Sequence, residues 1–186
     1  MVEVEIKLPI ADNAHVADKL LQLQFVKTGH VCEEDVYFDN ESQQIRTNGD
    51  ALRIRKITDL HAETSETVIT FKGKKIDTVS MSRRELETSV GDKNVCEGIL
   101  EALGYYPVEP RVITDRQEFA RGRMHACLDR VKDLGVFLEL EIVIDEAESK
   151  DTALQQIEDV LTTLGYALAD TTRNYYLSML QQVEDD

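Results

Sequence analysis

Glutamates stand two residues apart at Glu3 and Glu5, at Glu85 and Glu87, and at Glu139 and Glu141, each pair within a strand-like run. In an extended strand that spacing puts both carboxylates on one face, about 7 Å apart. Cations share those faces: Lys7 follows Glu3 and Glu5, Arg53 alternates with Arg55, and Arg83 precedes Glu85, while Arg84 points the other way with Leu86. The intervening positions are apolar, as in Val2, Val4, Ile6 and Leu8, Leu52 and Ile54, Ile69 and Phe71 beside Thr70 and Lys72, or Leu138, Leu140 and Ile142. Carboxylates in such pairs suit magnesium or manganese, hard cations that take oxygen ligands. Lysine and arginine suit phosphate oxygens. Two acid pairs facing each other would hold one or two such ions together with a bound polyphosphate.

Many antiparallel sheets have one core face and one solvated face, and each strand read alone fits that description. Taken together the strands say more, because the polar face is long, charged and of both signs in strand after strand. A closed sheet could turn that face inward as a polar tunnel and bury its apolar face under helices. Charges withdrawn from water in this way must be paired or liganded, a cost to stability that points to function. Other chemistries find no support. His15, His30, His61 and His125 lack zinc spacing, and there is no phosphate-binding loop, serine nucleophile elbow or dinucleotide fingerprint. Phe71-Lys72-Gly73-Lys74-Lys75 resembles a phosphate loop only superficially, and a basic hairpin turn is at least as good a reading of Lys74 and Lys75.

The elements that must position these residues are legible in outline. Helical periodicity follows Asp12-Asn13 (Val16, Leu20, Leu23), starts again near Asp92 (Val95, Ile99, Leu103, stopping at Gly104), and a third time near Asp151 (Leu154, Ile157, Leu161, Leu164, stopping at Gly165). Aspartate or asparagine before and glycine after are the expected caps. The remainder reads as strands over 2–8, 35–38, 51–57, 67–72, 83–88, 111–119, 124–129 and 136–144, mostly joined by short connections. That pattern predicts an α+β fold, an antiparallel sheet with helices packed outside, in a single domain over residues 1–186.

The chain has 186 residues, with 21 basic against 36 acidic and a net charge of −15. A backbone of nucleic acid would be repelled, so no nucleic-acid partner is expected. The charge is uneven, however. From Gln44 to Val90 nine Lys or Arg stand against seven acids, whereas Asp145 to Asp186 carries ten acids and only Lys150 and Arg173. A small anion can still find a cationic pocket. Three scattered cysteines (Cys32, Cys96, Cys127), no secretory signal and no membrane-length apolar run lead to the expectation of a cytoplasmic protein with reduced thiols, away from membranes.

In their order along the chain these residues resemble the CYTH superfamily, the triphosphate tunnel metalloenzymes. Glu3-Val4-Glu5-Ile6-Lys7 looks like its E-x-E-x-K signature. The likeness continues through Asp35-Val36-Tyr37-Phe38-Asp39, Ala51-Leu52-Arg53-Ile54-Arg55, Thr70-Phe71-Lys72-Gly73, Arg83-Arg84-Glu85-Leu86-Glu87, Cys127-Leu128-Asp129-Arg130-Val131, Leu134 through Glu141, and Asn174-Tyr175-Tyr176. The chain is most similar to the class IV adenylate cyclase-like branch, whose relatives include thiamine and inorganic triphosphatases.

The resemblance implies a closed eight-stranded antiparallel barrel forming the tunnel. It implies metal-binding acids at Glu3, Glu5, Asp129, Glu139 and Glu141, with Glu85 and Glu87 nearby. It also implies a triphosphate-binding wall of Lys7, Arg53, Arg55, Lys72 and Arg116, with Arg83 or Arg84 as additions. Glu3, Glu5, Lys7 and Glu139 would be the residues closest to catalysis, Mg²⁺ or Mn²⁺ the cofactor, and a homodimer is compatible with it. Family members often carry a basic residue where this chain has Thr114, two before Arg116, and period two would set Thr114 inward beside the phosphates. The expected activity is conversion of ATP to cyclic AMP and pyrophosphate. The alternatives are hydrolysis of inorganic, thiamine or nucleoside triphosphate, and a non-catalytic sensor of nucleotide or polyphosphate.

Overall fold

The computed structural model describes residues 2–74, 84–145 and 149–184. Its elements run β1 (Val2–Pro9), α1 (Asn13–Gln22), β2 (Val26–Asp39), α2 (Gln44–Thr47), β3 (Ala51–Asp59), β4 (Ser65–Lys72), β5 (Glu85–Ser89), α3 (Lys93–Ala102), β6 (Tyr106–Arg121), β7 (Met124–Val131), β8 (Gly135–Ile144), α4 (Lys150–Leu164) and α5 (Tyr176–Glu184). The strands form one antiparallel sheet in the order β1-β8-β7-β6-β2-β3-β4-β5.

The alternation seen in sequence sorts the two faces. Val4, Ile6 and Leu8 of β1 join Ala126 and Leu128 of β7 and Leu138, Leu140 and Ile142 of β8 in a buried cluster on the convex face. Val16 and Leu20 of α1 and Ile157, Leu161 and Leu164 of α4 cover that cluster. Two helices start on the expected aspartates: Asp12 accepts from the His15 amide and Asp92 from that of Val95, whereas α4 is capped by Ser149, which accepts from the Thr152 amide, with Asp151 inside its first turn. Gly165, at φ +94°, ends α4 in a left-handed conformation that favours glycine.

The barrel expected from the resemblance does not close. The sheet curls into a half-barrel whose edges are β1 and β5, and no ladder joins them among the described residues. Closure would bring the inward acids of β1, Glu3 and Glu5, against those of β5, Glu85 and Glu87. Part of the β1 edge is also occupied, because the Thr172 amide donates to the Lys7 carbonyl at 2.7 Å.

Two strands are much longer than their sequence signal. β2 begins at Val26 rather than Asp35, since inward Glu33 and Asp35 break the apolar pattern. β6 begins at Tyr106 rather than Arg111 and carries Pro107 and Pro110 through a register shift opposite Asp35 and Tyr37, a position where a strand tolerates proline. Helix α3 lies where expected but with its stripe reversed: Val95, Ile99 and Leu103 are exposed, and the buried contact with Val36, Phe38 and Ile54 is made by Leu100. The amphipathic helix α5 was not legible. Its Tyr176 and Leu180 pack with Val112, Val131 and Phe137 and fill one end of the half-barrel.

Candidate active site

The concave face encloses a cavity of about 190 Å³. Glu3, Glu5 and Lys7 of β1, Glu139 and Glu141 of β8, Arg116 of β6, Asp35 and Tyr37 of β2, Arg53 and Arg55 of β3, Lys72 of β4 and Glu85 and Glu87 of β5 all reach it. Tyr175 and Tyr176 line it from the start of α5.

Strand register builds the acid side. Glu5 lies opposite Glu141 and Lys7 opposite Glu139 across the β1–β8 ladder. Glu3, Glu5 and Glu141 offer carboxylate oxygens within 4.8 Å of one another. Burial, followed by the charges of Glu3, Glu5 and Glu139, pushes the Glu141 carboxyl up to about 7. Three crowded carboxylates of which one resists ionisation are short of positive charge, and an all-oxygen set of this kind fits Mg²⁺ or Mn²⁺.

Glu139 has a different role. It accepts from Lys7 at 3.1 Å and from Arg116 at 2.6 Å. Burial would raise its carboxyl, but Lys7 and Arg116 outweigh burial and hold it well below the usual carboxylate range. Lys7 lies with its ammonium 4.0 Å from the centre of the Tyr176 ring; burial opposes its charge, and Glu139 and Glu5 prevail.

Asp129, placed among the metal acids by the resemblance, is fully buried and already committed. Its oxygens accept from Arg116 Nε at 2.7 Å and Nη2 at 2.5 Å, and from the Tyr176 hydroxyl at 2.8 Å. Its position behind Arg116 makes it a holder of that arginine. Burial pushes its carboxyl up to about 6 against the pull of Arg116, with Glu139 adding to the rise.

The basic side is likewise held from behind. Asp35 accepts from Arg55 Nε at 2.6 Å and Nη2 at 2.8 Å, and Glu33 accepts from Arg55 Nη1 at 2.7 Å. Burial of Asp35 is outweighed by Arg55 and then Arg53, which bring its carboxyl down to about 2. Lys72 pairs with Glu85. Arg53 is held more loosely, at 3.3 Å from Asp35 and 3.4 Å from Thr70, and its buried Nε has no hydrogen-bond partner among the described residues. Thr70 in turn donates to Glu87 at 2.7 Å.

The structure therefore brings together Glu3, Glu5, Lys7, Arg53, Arg55, Lys72, Glu85, Glu87, Arg116, Glu139 and Glu141, with Asp129 behind them. Arg84 is exposed and outside the cavity lining. It faces outward, as its alternation with Glu85 requires. Arg83 and Lys75 lie outside the described residues. Thr114 is inward and buried as expected, but it sits between Glu33 and Val131 in the ladders and does not line the cavity. Sequence reading gave no site role to Glu33, Asp35, Tyr37, Thr70 or Tyr176. A signal existed for part of this set: Asp35 and Tyr37 alternate with Val36 and Phe38, the pattern that marked the acids of β1, whereas Glu33 stands between Cys32 and Glu34.

A second hollow of about 130 Å³ adjoins the charged one and shares Tyr37, Ala51 and Tyr175 with it. Phe38, Ile45, Leu52, Val108 and Leu177 make its walls largely apolar.

The raised carboxyls set a pH dependence. An unfolded glutamate ionises near 4.5, whereas folded Glu141 keeps its proton to about 7. The folded chain thus binds more protons between those values, and its stability falls as pH rises through them. Asp129 acts in the same direction over a narrower range. The Glu141 contribution is about 3 kcal/mol at most, or roughly 6–12 °C in Tm for a chain of this size. Thermal melts in chelator are expected to show a lower Tm at pH 8 than at pH 5.5. Added Mn²⁺ or the Glu141→Gln variant should flatten that slope.

A curled antiparallel sheet with its apolar face under helices and a cavity of acid pairs opposite cations defines a recognisable class of small-anion site. The CYTH domain model matches residues 1–176. The chain is 34% identical over 179 residues to a protein of Methanocaldococcus jannaschii named as a candidate adenylate cyclase, covering 96% of this chain and 98% of that one. It is 25% identical over 150 residues to adenylate cyclase CyaB of Aeromonas hydrophila, covering 81% and 73%. Among solved structures, the PH1819 protein of Pyrococcus horikoshii superposes with a TM-score of 0.87 at 27% identity, covering 97% of this chain and 99% of that one. The chain belongs to the CYTH domain family.

Proposed function

We propose that this chain is a divalent-cation-dependent enzyme that converts ATP to cyclic AMP and pyrophosphate within the curled sheet. The observation that carries the reading is the pairing of two hollows. A cavity with Glu3, Glu5 and Glu141 on one side and Arg53 and Lys72 on the other continues into an apolar hollow past Tyr37, Ala51 and Tyr175. The charged part suits a triphosphate, and the apolar part suits the nucleoside attached to it. The names of the two similar cyclases agree with this assignment.

Glu3, Glu5 and Glu141 would hold Mg²⁺ or Mn²⁺, which when bound neutralises phosphate oxygens and stabilises charge on the leaving pyrophosphate. Arg53, whose Nε has no partner among the described residues, and Lys72 offer donors to the phosphates. Asp35, Glu139 and Asp129 fix Arg55, Lys7 and Arg116 at the cavity wall before substrate arrives. Donors fixed in advance need no reorganisation as charge moves in the reaction. Tyr37 and Tyr175, shared by the two hollows, stand where the ribose of a bound nucleotide would pass between them.

Incubating the protein with ATP, inorganic triphosphate and thiamine triphosphate plus Mg²⁺ or Mn²⁺ tests the reading. Cyclic AMP with pyrophosphate is the expected product. Orthophosphate release without cyclic AMP would replace the cyclase with a triphosphatase. The fold accommodates either reaction: a Hippeastrum protein sharing it, at 15% identity and a TM-score of 0.70, is described as having a dominant triphosphatase activity.

Binding separates the cations. Arg53→Ala is expected to weaken a non-hydrolysable ATP analogue tenfold or more, since a charge-assisted hydrogen bond is worth about 1.5–3 kcal/mol. Arg84→Ala, on the exposed outer side, should leave calorimetric affinity unchanged. Equal losses would mean that the inward and outward faces of the strands have been misassigned.

A further inference from the structure

On the concave face five side chains make a closed ring of contacts. Lys7 of β1 donates to Glu139 of β8 at 3.1 Å, and the other oxygen of Glu139 accepts from Arg116 Nη2 of β6 at 2.6 Å. Arg116 in turn grips Asp129 of β7, with Nε on one oxygen at 2.7 Å and Nη2 on the other at 2.5 Å. Tyr176, the first residue of α5, closes the ring. Its hydroxyl donates to Asp129 Oδ2 at 2.8 Å, and its ring centre lies 4.0 Å from the Lys7 ammonium. In the sheet β8 separates β1 from β7, so Tyr176 reaches over one strand to join them.

We infer that Tyr176 is a positioning residue: it seats the Lys7 ammonium on its ring face and braces Arg116 through Asp129, so that the two cations meet the phosphates of a bound substrate as one unit. This role presupposes the triphosphate reading of the cavity. An ammonium carries three N–H donors. Glu139 engages one, and the negative face of the aromatic ring draws the cation in a second direction. Two fixed directions settle where the ammonium sits in the cavity that Lys7 lines. On the other side, Asp129 accepts from Arg116 on both oxygens, and the phenol adds a third donor that restrains the carboxylate holding the guanidinium.

Tyr176 is itself fixed. It is buried, and its ring packs on that of Phe137 with centres 5.0 Å apart at 57°. Four residues earlier the Thr172 amide donates to the Lys7 carbonyl at 2.7 Å. The segment leading into α5 therefore holds Lys7 by its backbone and by its side chain. Within the ring the cations Lys7 and Arg116 balance the carboxylates Glu139 and Asp129, the pairing that charges need when they are withdrawn from water.

Calorimetric titration with a non-hydrolysable ATP analogue and Mg²⁺, well below the melting temperature of each protein, tests this role. Tyr176→Phe keeps the ring and loses the hydroxyl, and it is expected to bind roughly threefold to tenfold more weakly than wild type. Tyr176→Leu loses both and should be weaker by roughly a further threefold or more. In a Lys7→Gln background, where Arg116 still pairs with Glu139, the difference between those two variants should shrink below about twofold, because no cation is left for the ring to seat. General damage to the fold would weaken both backgrounds alike. Leu180→Ala, which opens a gap in the packing of the same helix, should lower Tm yet leave affinity within about twofold of wild type. Wild-type affinity in Tyr176→Leu, an undiminished difference between the two variants in the Lys7→Gln background, or a loss in Leu180→Ala as large as in Tyr176→Leu would each overturn the role of Tyr176. Failure of the wild-type chain to bind the analogue would overturn the triphosphate reading, and the role of Tyr176 with it.

Discussion

Glu5→Gln is expected to abolish most triphosphate turnover, by two or more orders of magnitude, while leaving the cation-free protein as stable as wild type or slightly more so. Glu5 lies directly opposite Glu141 and within the group of three carboxylates. Glutamine keeps the shape but removes one of the charges a divalent cation requires. The same change relieves repulsion on Glu141, whose carboxyl is already pushed up to about 7 partly by Glu5. Activity and stability should therefore move in opposite directions, which ordinary damage to the fold cannot produce. Steady-state rates at saturating Mn²⁺, with melts in chelator, decide the matter. Undiminished turnover in a folded Glu5→Gln protein would remove the acid trio from the reaction.

The second large effect is on stability. Asp129→Ala is expected to cost about 3–5 kcal/mol, the usual consequence of removing one partner from a buried ion pair. At this chain length that corresponds to a fall of roughly 6–20 °C in Tm. The loss strips Arg116 of its two-pronged partner, leaving it Glu139 at 2.6 Å and Glu33 at 3.8 Å, and it orphans the Tyr176 hydroxyl. Asp129→Asn keeps an acceptor for both donors and should cost distinctly less. Denaturant titration of the two variants, with exposed Asp151→Ala as a control near zero, tests this. A small effect of Asp129→Ala on stability coupled to a large rise in the Mn²⁺ requirement would return Asp129 to the cation-binding acids.

Much of this site was legible because strand alternation is a strong, local signal. Glu5, Lys7 and Arg53 each sit between apolar neighbours (Val4, Ile6, Leu8, Leu52, Ile54) that pack away from the cavity. What the pattern could not supply was depth. It set Glu139 and Glu141 on one face, and the resemblance added Asp129, without telling which carboxylate would be consumed by an arginine. That depends on register across β6, β7 and β8, a long-range property. The same limit applies to Thr114: its inward direction follows from period two, but its place below the cavity follows from Glu33 and Val131 on neighbouring strands. Glu33 and Asp35 were missed for the opposite reason, since charges on the inner face of β2 made that strand look shorter than it is. The stripe of α3 misled because Val95, Ile99 and Leu103 have helical spacing but face solvent, and Leu100 makes the contact.

The gap between β1 and β5 has a mechanical meaning. Glu3 and Glu5 belong to one edge of the sheet, while Lys72, Glu85 and Glu87 belong to the other edge or its neighbour. The distance between them is transmitted the long way round, through seven strand-to-strand ladders, each with its own compliance. The span of the site is thus a soft coordinate, set by whatever bridges it. A polyanion gripping the β3–β4 side, with its counter-cation gripping the β1–β8 side, would act as a tie-rod across the open seam, and its length would fix the curvature of the whole sheet. Discrimination between triphosphates of different bulk then becomes a question of elastic strain distributed over the sheet, alongside the contacts made at either end.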